Sequence, residues 1–150
     1  MRIIVDADAC PKQVKEILYR TSERLQIAVL LVANQFMRAP QSPLIESIVV
    51  SAGADEADDH IVEIMTADDL VITADIPLAD RVIKKGAVVL DPRGTFLTDE
   101  NIGQRLAVRN LMDELRTEGV QTGGPNSYNN KDKQEFANQL DRHLTKALKK

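Results

Sequence analysis

Aspartates that are suited to binding a cation follow three apolar segments of the sequence. Asp6, Asp75 and Asp91 each come directly or shortly after a run of apolar residues. Hard divalent cations such as Mg²⁺ and Mn²⁺ prefer carboxylate oxygens as ligands. Carboxylates that are brought together without a cation repel one another, which costs stability. We therefore expect Asp6 and Asp75 to bind a divalent metal first, with Asp91 as a further candidate ligand.

A second group of acids lies at residues 55–59, in the first turn of a predicted helix. Asp58 and Asp59 are both candidate metal ligands, and we expect one to face the metal and the other to face water. Asp55 and Glu56 are more simply explained as charges that favour the positive end of the helix dipole. Asp91, which precedes a proline, is also a typical turn residue.

Short apolar segments that alternate with amphipathic segments position these aspartates. Such runs are typical of strands buried on both faces, and their alternation with helices predicts an α/β fold with a mainly parallel sheet flanked by helices. In a parallel sheet the carboxyl ends of the strands share one edge, so the aspartates should meet there. The predicted strands are 2–5, 27–33, 45–51, 70–73 and 87–90. The first predicted helix begins at Pro11. The others cover residues 55–66, residues 77–85, a long segment that begins at about residue 98, and residues 131–150.

The length of 150 residues fits a single domain, and we expect residues 1–150 to form one, with a helical extension from about residue 98. The start of the chain lacks the pattern of a signal peptide, and no apolar run approaches the roughly 20 residues of a membrane span. A single cysteine, Cys10, rules out an internal disulfide; at the start of a helix it is more simply explained as a small buried residue than as a reactive thiol. These features favour a cytoplasmic protein, without a membrane partner.

The charges are unevenly distributed. Residues 39–80 contain ten carboxylates and no Lys or Arg, whereas residues 131–150 contain six Lys or Arg and three acids. The basic segment suggests contacts with the phosphates of RNA, and Arg93 and Lys84 are candidate substrate-binding residues nearer the acids. With only five aromatic residues and no Trp, a base-stacking platform is hard to build.

Five short motifs resemble those of one family. They lie at residues 6–11 (DADACP), 53–61 (GADEADDHI), 69–79 (DLVITADIPLA), 91–94 (DPRG) and 122–125 (TGGP). In order and spacing they resemble the bacterial YaiI/YqxD family of uncharacterised proteins, over nearly the whole chain. That family is in turn similar to the PIN-like nucleases, which carry an acid after the first strand, another on the helix before the fourth strand, and Thr-x-Asp after the fourth strand.

The PIN-like resemblance implies a role for three acids. Asp6, Asp59 (or Asp58) and Asp75 match the nuclease positions, and the implied activity is phosphodiester hydrolysis that depends on Mg²⁺ or Mn²⁺, with RNA favoured over DNA. The C-terminal basic helix and the Gly-Gly-Pro segment lie outside the common PIN pattern. The oligomeric state is not implied by any of these features.

Two alternatives remain open. Asp6 and Asp8 match the Asp-x-Asp of haloacid-dehalogenase-type phosphatases, in which the first Asp is the nucleophile and the second the general acid. Those enzymes need a basic residue before their final acidic pair, but this chain has none between Arg38 and Arg81, and the helix at Pro11 leaves no room for their flap. The other alternative is a non-catalytic RNA-binding or scaffold protein that retains the acids.

Overall fold

A computed structural model describes residues 1–53, 55–117 and 127–148. The Gly-Gly-Pro motif at 122–125 lies outside these residues, as does Ala54 of the second motif. Six strands and five α-helices are present in the described part. The strands are β1 (Arg2–Asp6), β2 (Ala28–Ala33), β3 (Ile45–Val49), β4 (Leu70–Ile72), β5 (Val88–Leu90) and β6 (Phe96–Leu97); the helices are α1 (Lys12–Leu25), α2 (Glu56–Ile64), α3 (Ile76–Lys84), α4 (Asp99–Thr117) and α5 (Asn130–Ala147).

The strands form one sheet in the order β3-β2-β1-β4-β5-β6. The first five are parallel, and only β6 is antiparallel, to β5. The predicted α/β fold with a mostly parallel sheet of about five strands is therefore confirmed. The short sixth strand was not predicted, and it extends the sheet by a tight connection after β5.

The central strands are apolar because both faces of the sheet are covered. Successive side chains of a strand point to opposite faces, and in β1 Ile3 and Val5 belong to one core cluster whereas Ile4 belongs to the other. Helices α1 and α5 contribute to the first cluster through Val14, Leu18 and Phe136, among others. Helices α2, α3 and α4 cover the opposite face with Ile61, Leu78, Val82 and Ile102 in the second cluster.

The C-terminal basic helix α5 is part of the core. Its residues Phe136, Leu140 and Leu144 are almost completely buried, in the same cluster as α1 and the strands. The helix begins with a capping box, in which Asn129 accepts from the backbone N–H of Asp132 and the Asp132 carboxylate accepts from the backbone N–H of Asn129. Truncating α5 would therefore disrupt the first core cluster as well as remove positive charge.

No helix among the described residues is both long enough and apolar enough to cross a membrane.

Candidate functional site

The carboxyl ends of β1 and β4 bring two of the expected aspartates to one edge of the sheet. Asp6 is the last residue of β1, and the parallel register pairs Val5 with Ile72, the last residue of β4. Asp75 lies three residues beyond Ile72 and precedes helix α3, which begins at Ile76. The two aspartates thus lie on neighbouring strands at the edge where ligands bind in parallel α/β sheets.

Thr73 connects these two aspartates. Its hydroxyl donates a hydrogen bond to Oδ2 of Asp6 (2.9 Å) and accepts one from the backbone N–H of Asp75 (3.0 Å). The Asp75 carboxylate in turn caps helix α3, because its Oδ1 accepts from the backbone N–H of Leu78 (3.1 Å). Pro77 in the first turn needs no partner for a backbone N–H, so this turn suits the start of a helix. The Thr-x-Asp motif therefore fixes both carboxylates.

Asp58 is the residue of α2 that interacts with these acids. Burial raises its pKa, and the charges of Asp75, Asp6 and Asp55 raise it further, to about 6, although Arg81 lowers it. Because charge–charge effects of this size fall off with distance, Asp58 lies near both Asp6 and Asp75. The term acidic cluster is used below for Asp6, Asp58 and Asp75.

Asp6 is the most buried member of the acidic cluster, with 8% of its surface exposed. Burial raises its pKa, the hydrogen bond from Thr73 lowers it, and the charges of Asp75 and Asp8 raise it again. A carboxylate that is buried next to other carboxylates is unfavourable without a positive charge. The site therefore gains stability from anything that supplies such a charge.

Asp59, a member of the predicted catalytic set, forms an ion pair with Arg81. Its Oδ1 accepts a hydrogen bond from Nη1 of Arg81 on α3 at 2.8 Å, and both side chains are substantially exposed. Of the two adjacent aspartates, Asp58 is the one whose pKa is raised by the charges of Asp75 and Asp6.

Asp91 stabilises a turn. Its Oδ1 accepts from the backbone N–H groups of Arg93 (2.9 Å) and Thr95 (3.0 Å), which shapes the connection between β5 and β6. Gly94, in the same turn, has a φ of 90° and packs against the backbone of α5. The carboxylate thus has a local structural role, in agreement with the turn interpretation of an aspartate before proline.

The two expected substrate-binding cations are both engaged in ion pairs. Arg93 pairs with Asp132 of α5 at 2.9 Å, and its guanidinium lies 6.0 Å from the ring centroid of Tyr128. Lys84 pairs with Asp80 one turn earlier on α3, at 2.8 Å. In the part of the chain that the structure describes, no hydrogen bond joins Lys84 to a member of the acidic cluster.

The chemistry of the acidic cluster suits a hard divalent cation, because all its ligand atoms are carboxylate oxygens. Within the described ranges, however, no three acidic, His or Cys side chains are already arranged to hold a metal ion. The raised pKa values of Asp6 and Asp58 show that the carboxylates are near enough to affect one another. The residues therefore fit a metal by type and charge, and the carboxylates must approach one another more closely to bind it.

Comparison with known proteins decides the family. The sequence profile of the uncharacterised bacterial YaiI/YqxD family matches residues 4–146. A relative named UPF0178 protein from Maridesulfovibrio salexigens is 56% identical over 148 residues, which cover 99% of this chain and 98% of the relative. Another, from Dechloromonas aromatica, is 58% identical over 146 residues, or 97% of each chain. The chain belongs to the YaiI/YqxD family.

Membership in the YaiI/YqxD family confirms the resemblance but assigns no activity, because the family is described as uncharacterised. A third relative, from Shewanella halifaxensis, is 55% identical over 146 residues and has the same uninformative name. No solved structure matches the chain.

One buried carboxylate lies outside the set of aspartates expected from the sequence. Asp69, at the opposite edge of the sheet from the acidic cluster, is 3% exposed and accepts hydrogen bonds from Arg2 and Thr66. Burial alone would raise its pKa, but these hydrogen bonds and the charge of Arg2 lower it overall. This carboxylate is a structural one. The sequence distinguishes Asp69 by its position, because it precedes a strand whereas Asp6 and Asp75 lie at or after the end of one.

Phe36 was missed because the small number of aromatic residues argued against stacking. It follows β2 and is 75% exposed, the highest value among the large exposed apolar residues of the described chain. The backbone N–H of Asn34, two residues earlier, donates to Oδ2 of Asp8 at 2.7 Å, and Asp8 is near enough to Asp6 for its charge to raise the pKa of Asp6. The loop thus displays an aromatic ring at the edge that carries the acidic cluster.

Cys10 is a buried thiol, as expected. Burial raises its pKa to about 12, so it stays protonated at neutral pH and is a poor nucleophile.

Proposed function

We propose that this protein is a divalent-metal-dependent nuclease that hydrolyses phosphodiester bonds in single-stranded RNA. The observation that carries the proposal is the acidic cluster, three carboxylates from separate elements at the carboxyl edge of a parallel sheet, two of them with raised pKa values. Groups with perturbed pKa values in a crevice are candidates for a functional site. The match of Asp6 and Asp75 to the PIN-like pattern supports the same conclusion.

Each residue of the acidic cluster would have a defined task. Asp6, Asp58 and Asp75 would hold Mg²⁺ or Mn²⁺, with Asp58 in the role that the sequence assigned first to Asp59. Thr73 orients Asp6 by its hydrogen bond, and the cap to Leu78 keeps Asp75 at the helix terminus. When bound, the metal would polarise a phosphoryl oxygen and lower the pKa of a water molecule.

The phosphatase alternative is less well supported by the structure. Only residues 7–11, which include a single 3₁₀ turn at Ala7–Ala9, separate β1 from α1, and this connection is too short for a flap. Asp8, which would be the general acid, accepts a hydrogen bond from the backbone of Asn34 and is fixed by it. The non-catalytic alternative retains the same acids and is distinguished only by activity.

The adjacent pair Asp58 and Asp59 provides a matched test of the proposal. The purified protein should cut single-stranded RNA in the presence of Mn²⁺ or Mg²⁺ and should stop when EDTA is added. Asp58→Asn should reduce the rate by at least about 100-fold, because it removes a metal ligand, whereas Asp59→Asn should change it by less than about threefold, because Asp59 forms only an exposed ion pair. Rates are measured on a fluorescently labelled RNA.

Three results would contradict the proposal: no cleavage by folded protein with either metal, equal loss in the two variants, or turnover of a phosphomonoester with a covalent adduct on Asp6. The last result would support the phosphatase.

A further inference from the structure

A pocket lies beside Asp75, between the start of helix α3 and one face of helix α4. Its volume is about 750 Å³, which lies in the range of small-molecule sites. Ala74, Asp75 and Ile76 form one wall. The other wall consists of residues of α4 spaced so that they share one face of a helix, namely Asn101, Gln104, Arg105 and Val108.

Arg105 is the one cationic residue among the described residues that line this pocket. It is half-buried, and within the part of the chain that the structure describes it forms no hydrogen bond or ion pair. Asp75 lines the same pocket but does not pair with it. Arg93 and Lys84, by contrast, are held by Asp132 and Asp80.

Asn101 has a structural task that separates it from its neighbours. Its Oδ1 accepts from the backbone N–H of Thr98 (2.8 Å), and its Nδ2 donates to the carbonyl of Phe96 (2.9 Å). The amide of Asn101 therefore holds the start of α4. Arg105 and the exposed Gln104 are left as the polar groups of α4 available to a ligand in this pocket.

The surrounding charge explains why a cation is needed here. Residues 39–80 supply the strands and helix that carry Asp58 and Asp75, with ten carboxylates and no basic residue. A phosphate that approaches this edge is repelled by the acids. A guanidinium offsets the repulsion, and its planar fork matches two oxygens of a phosphate. Arg105 is delivered from α4, beyond the acidic segment.

Apolar groups complete the pocket. Ile76 forms part of its inner wall, and Val108, at 48% exposed, is one of the large apolar side chains that face solvent. A pocket with one guanidinium, one free amide and an apolar surface has the composition that a nucleotide needs, with an anionic phosphate, hydrogen-bonding edges and an apolar base face.

We infer that this pocket binds one nucleotide of the RNA substrate, with Arg105 on a phosphate next to the bond that is cut and Gln104 and Val108 on the base. The inference rests on the proposed function and names the subsite of that same site. Binding of a nucleotide here places the following phosphodiester at Asp75 and hence at the acidic cluster.

The test measures binding in EDTA, where no cleavage takes place. A 5′-phosphorylated RNA hexanucleotide is titrated into ¹⁵N-labelled protein at low salt, and dissociation constants are taken from chemical shifts. Arg105→Gln should weaken binding on the order of tenfold, as expected for one charge-assisted hydrogen-bonded pair. Arg105→Lys should recover part of the loss, because it keeps the charge without the fork.

Arg20→Gln is the matched control. It removes the same charge, and Arg20 is an exposed arginine on α1, which packs on the face of the sheet opposite to α4 and outside the basic C-terminal segment. Its affinity should change by less than about twofold. The protein spectrum shows whether each variant is folded. Equal affinities for Arg105→Gln and Arg20→Gln, or chemical-shift changes in the wild type that avoid Gln104 and Arg105, would overturn the inference. If the wild type binds the hexanucleotide in this pocket in EDTA but does not cut RNA when Mn²⁺ or Mg²⁺ is present, the nuclease proposal is contradicted and the binding inference is not.

Discussion

The hydroxyl of Thr73 donates a hydrogen bond to the buried carboxylate of Asp6 across two neighbouring strands, at 2.9 Å. Thr73 is itself 2% exposed, so neither partner has ready access to water. This hydrogen bond lowers the pKa of Asp6, against the effects of burial and of the charges of Asp75 and Asp8. The hydroxyl therefore helps to keep Asp6 ionised, as a metal ligand must be.

Replacement of Thr73 by Val should test this relationship. Thr73→Val keeps the shape but leaves Asp6 and the N–H of Asp75 without a partner, so it should reduce the free energy of unfolding by about 1–3 kcal/mol at pH 7. The reduction in the free energy of unfolding should be smaller near pH 4. Asp6 becomes protonated as the pH falls, and a protonated carboxyl group depends less on a hydrogen-bond donor than an ionised carboxylate does. Thr73→Ser, which keeps the hydroxyl, is the control. Denaturant unfolding at both pH values measures the difference, and an equal loss for Val and Ser would show that the methyl group matters and the hydroxyl does not.

Asp58 predicts the pH dependence of the metal-free protein. Its folded-state pKa of about 6 exceeds the usual value, so the folded state binds the proton more tightly than the unfolded state does. Stability should therefore fall as pH rises from about 4 to about 6–7. The shift would correspond to about 3 kcal/mol if taken in full, and solvent screening of this partly exposed group reduces it to on the order of 1 kcal/mol.

Asp58→Asn should reduce this pH dependence, leaving the smaller contribution of Asp6, whose pKa is also raised, and should raise the melting temperature in EDTA at pH 7. The same variant should lose most of the stabilisation that Mn²⁺ gives to the wild type, because a ligand stabilises only the state that binds it. Asp59→Asn should retain both the pH dependence and the Mn²⁺ effect. Thermal melts with and without Mn²⁺ measure both quantities. If Asp58→Asn melts lower than the wild type in EDTA, Asp58 stabilises the fold and is not part of a repulsive cluster.

The arrangement of the parallel strands could be predicted because strands that are buried on both faces appear as apolar runs, and the edge that carries Asp6 and Asp75 follows from the alternation with helices. The sequence could not show which of Asp58 and Asp59 interacts with the other acids. Both lie in one helical turn, and the residue that separates them is Arg81, which is 22 positions later and reaches Asp59 from another helix.

Strand β6 and the ion pair of Arg93 could not be predicted from the sequence either. Strand β6 has two residues, too few for a periodic pattern. The ion pair that occupies Arg93 joins it to Asp132, 39 positions away. The apolar positions of the last helix could be predicted from their spacing, and the structure shows that three of them, Phe136, Leu140 and Leu144, lie in the first core cluster.

The contact between the turn after β5 and helix α5 gives a stability prediction with an internal control. Gly94 has a φ of 90°, and a Cβ there would lie 2.7 Å from the carbonyl carbon of Glu135 and 2.8 Å from the nitrogen of Phe136. Both are backbone atoms that cannot move without shifting α5. Gly94→Ala should therefore reduce the free energy of unfolding by at least about 2 kcal/mol, from strain and overpacking.

Gly103→Ala is the control for this prediction. Gly103 lies inside α4, and apart from its own stretch of helix no atom of the described residues lies within 4 Å of a Cβ built there. Alanine should therefore stabilise the protein by up to about 1 kcal/mol through helix propensity. Opposite signs for the two glycines in denaturant unfolding are the expected result. A neutral Gly94→Ala would show that the turn and α5 are not in contact in solution.

The exposed ring of Phe36 gives the last prediction, on how single-stranded RNA contacts the edge of the sheet. The protein has no tryptophan, so Phe36→Trp introduces a single indole fluorophore where the structure displays an aromatic side chain. Stacking of a base on this indole should quench its fluorescence as RNA is added in EDTA. Phe36→Ala should weaken RNA binding by roughly 1–3 kcal/mol, the usual effect of losing one base–aromatic stack.

Val88→Trp is the control, since Val88 is 37% exposed at the start of β5, at the other edge of the sheet. An abasic oligonucleotide should quench neither variant. If RNA at saturation changes the fluorescence of Phe36→Trp no more than that of Val88→Trp, the RNA does not stack on this loop.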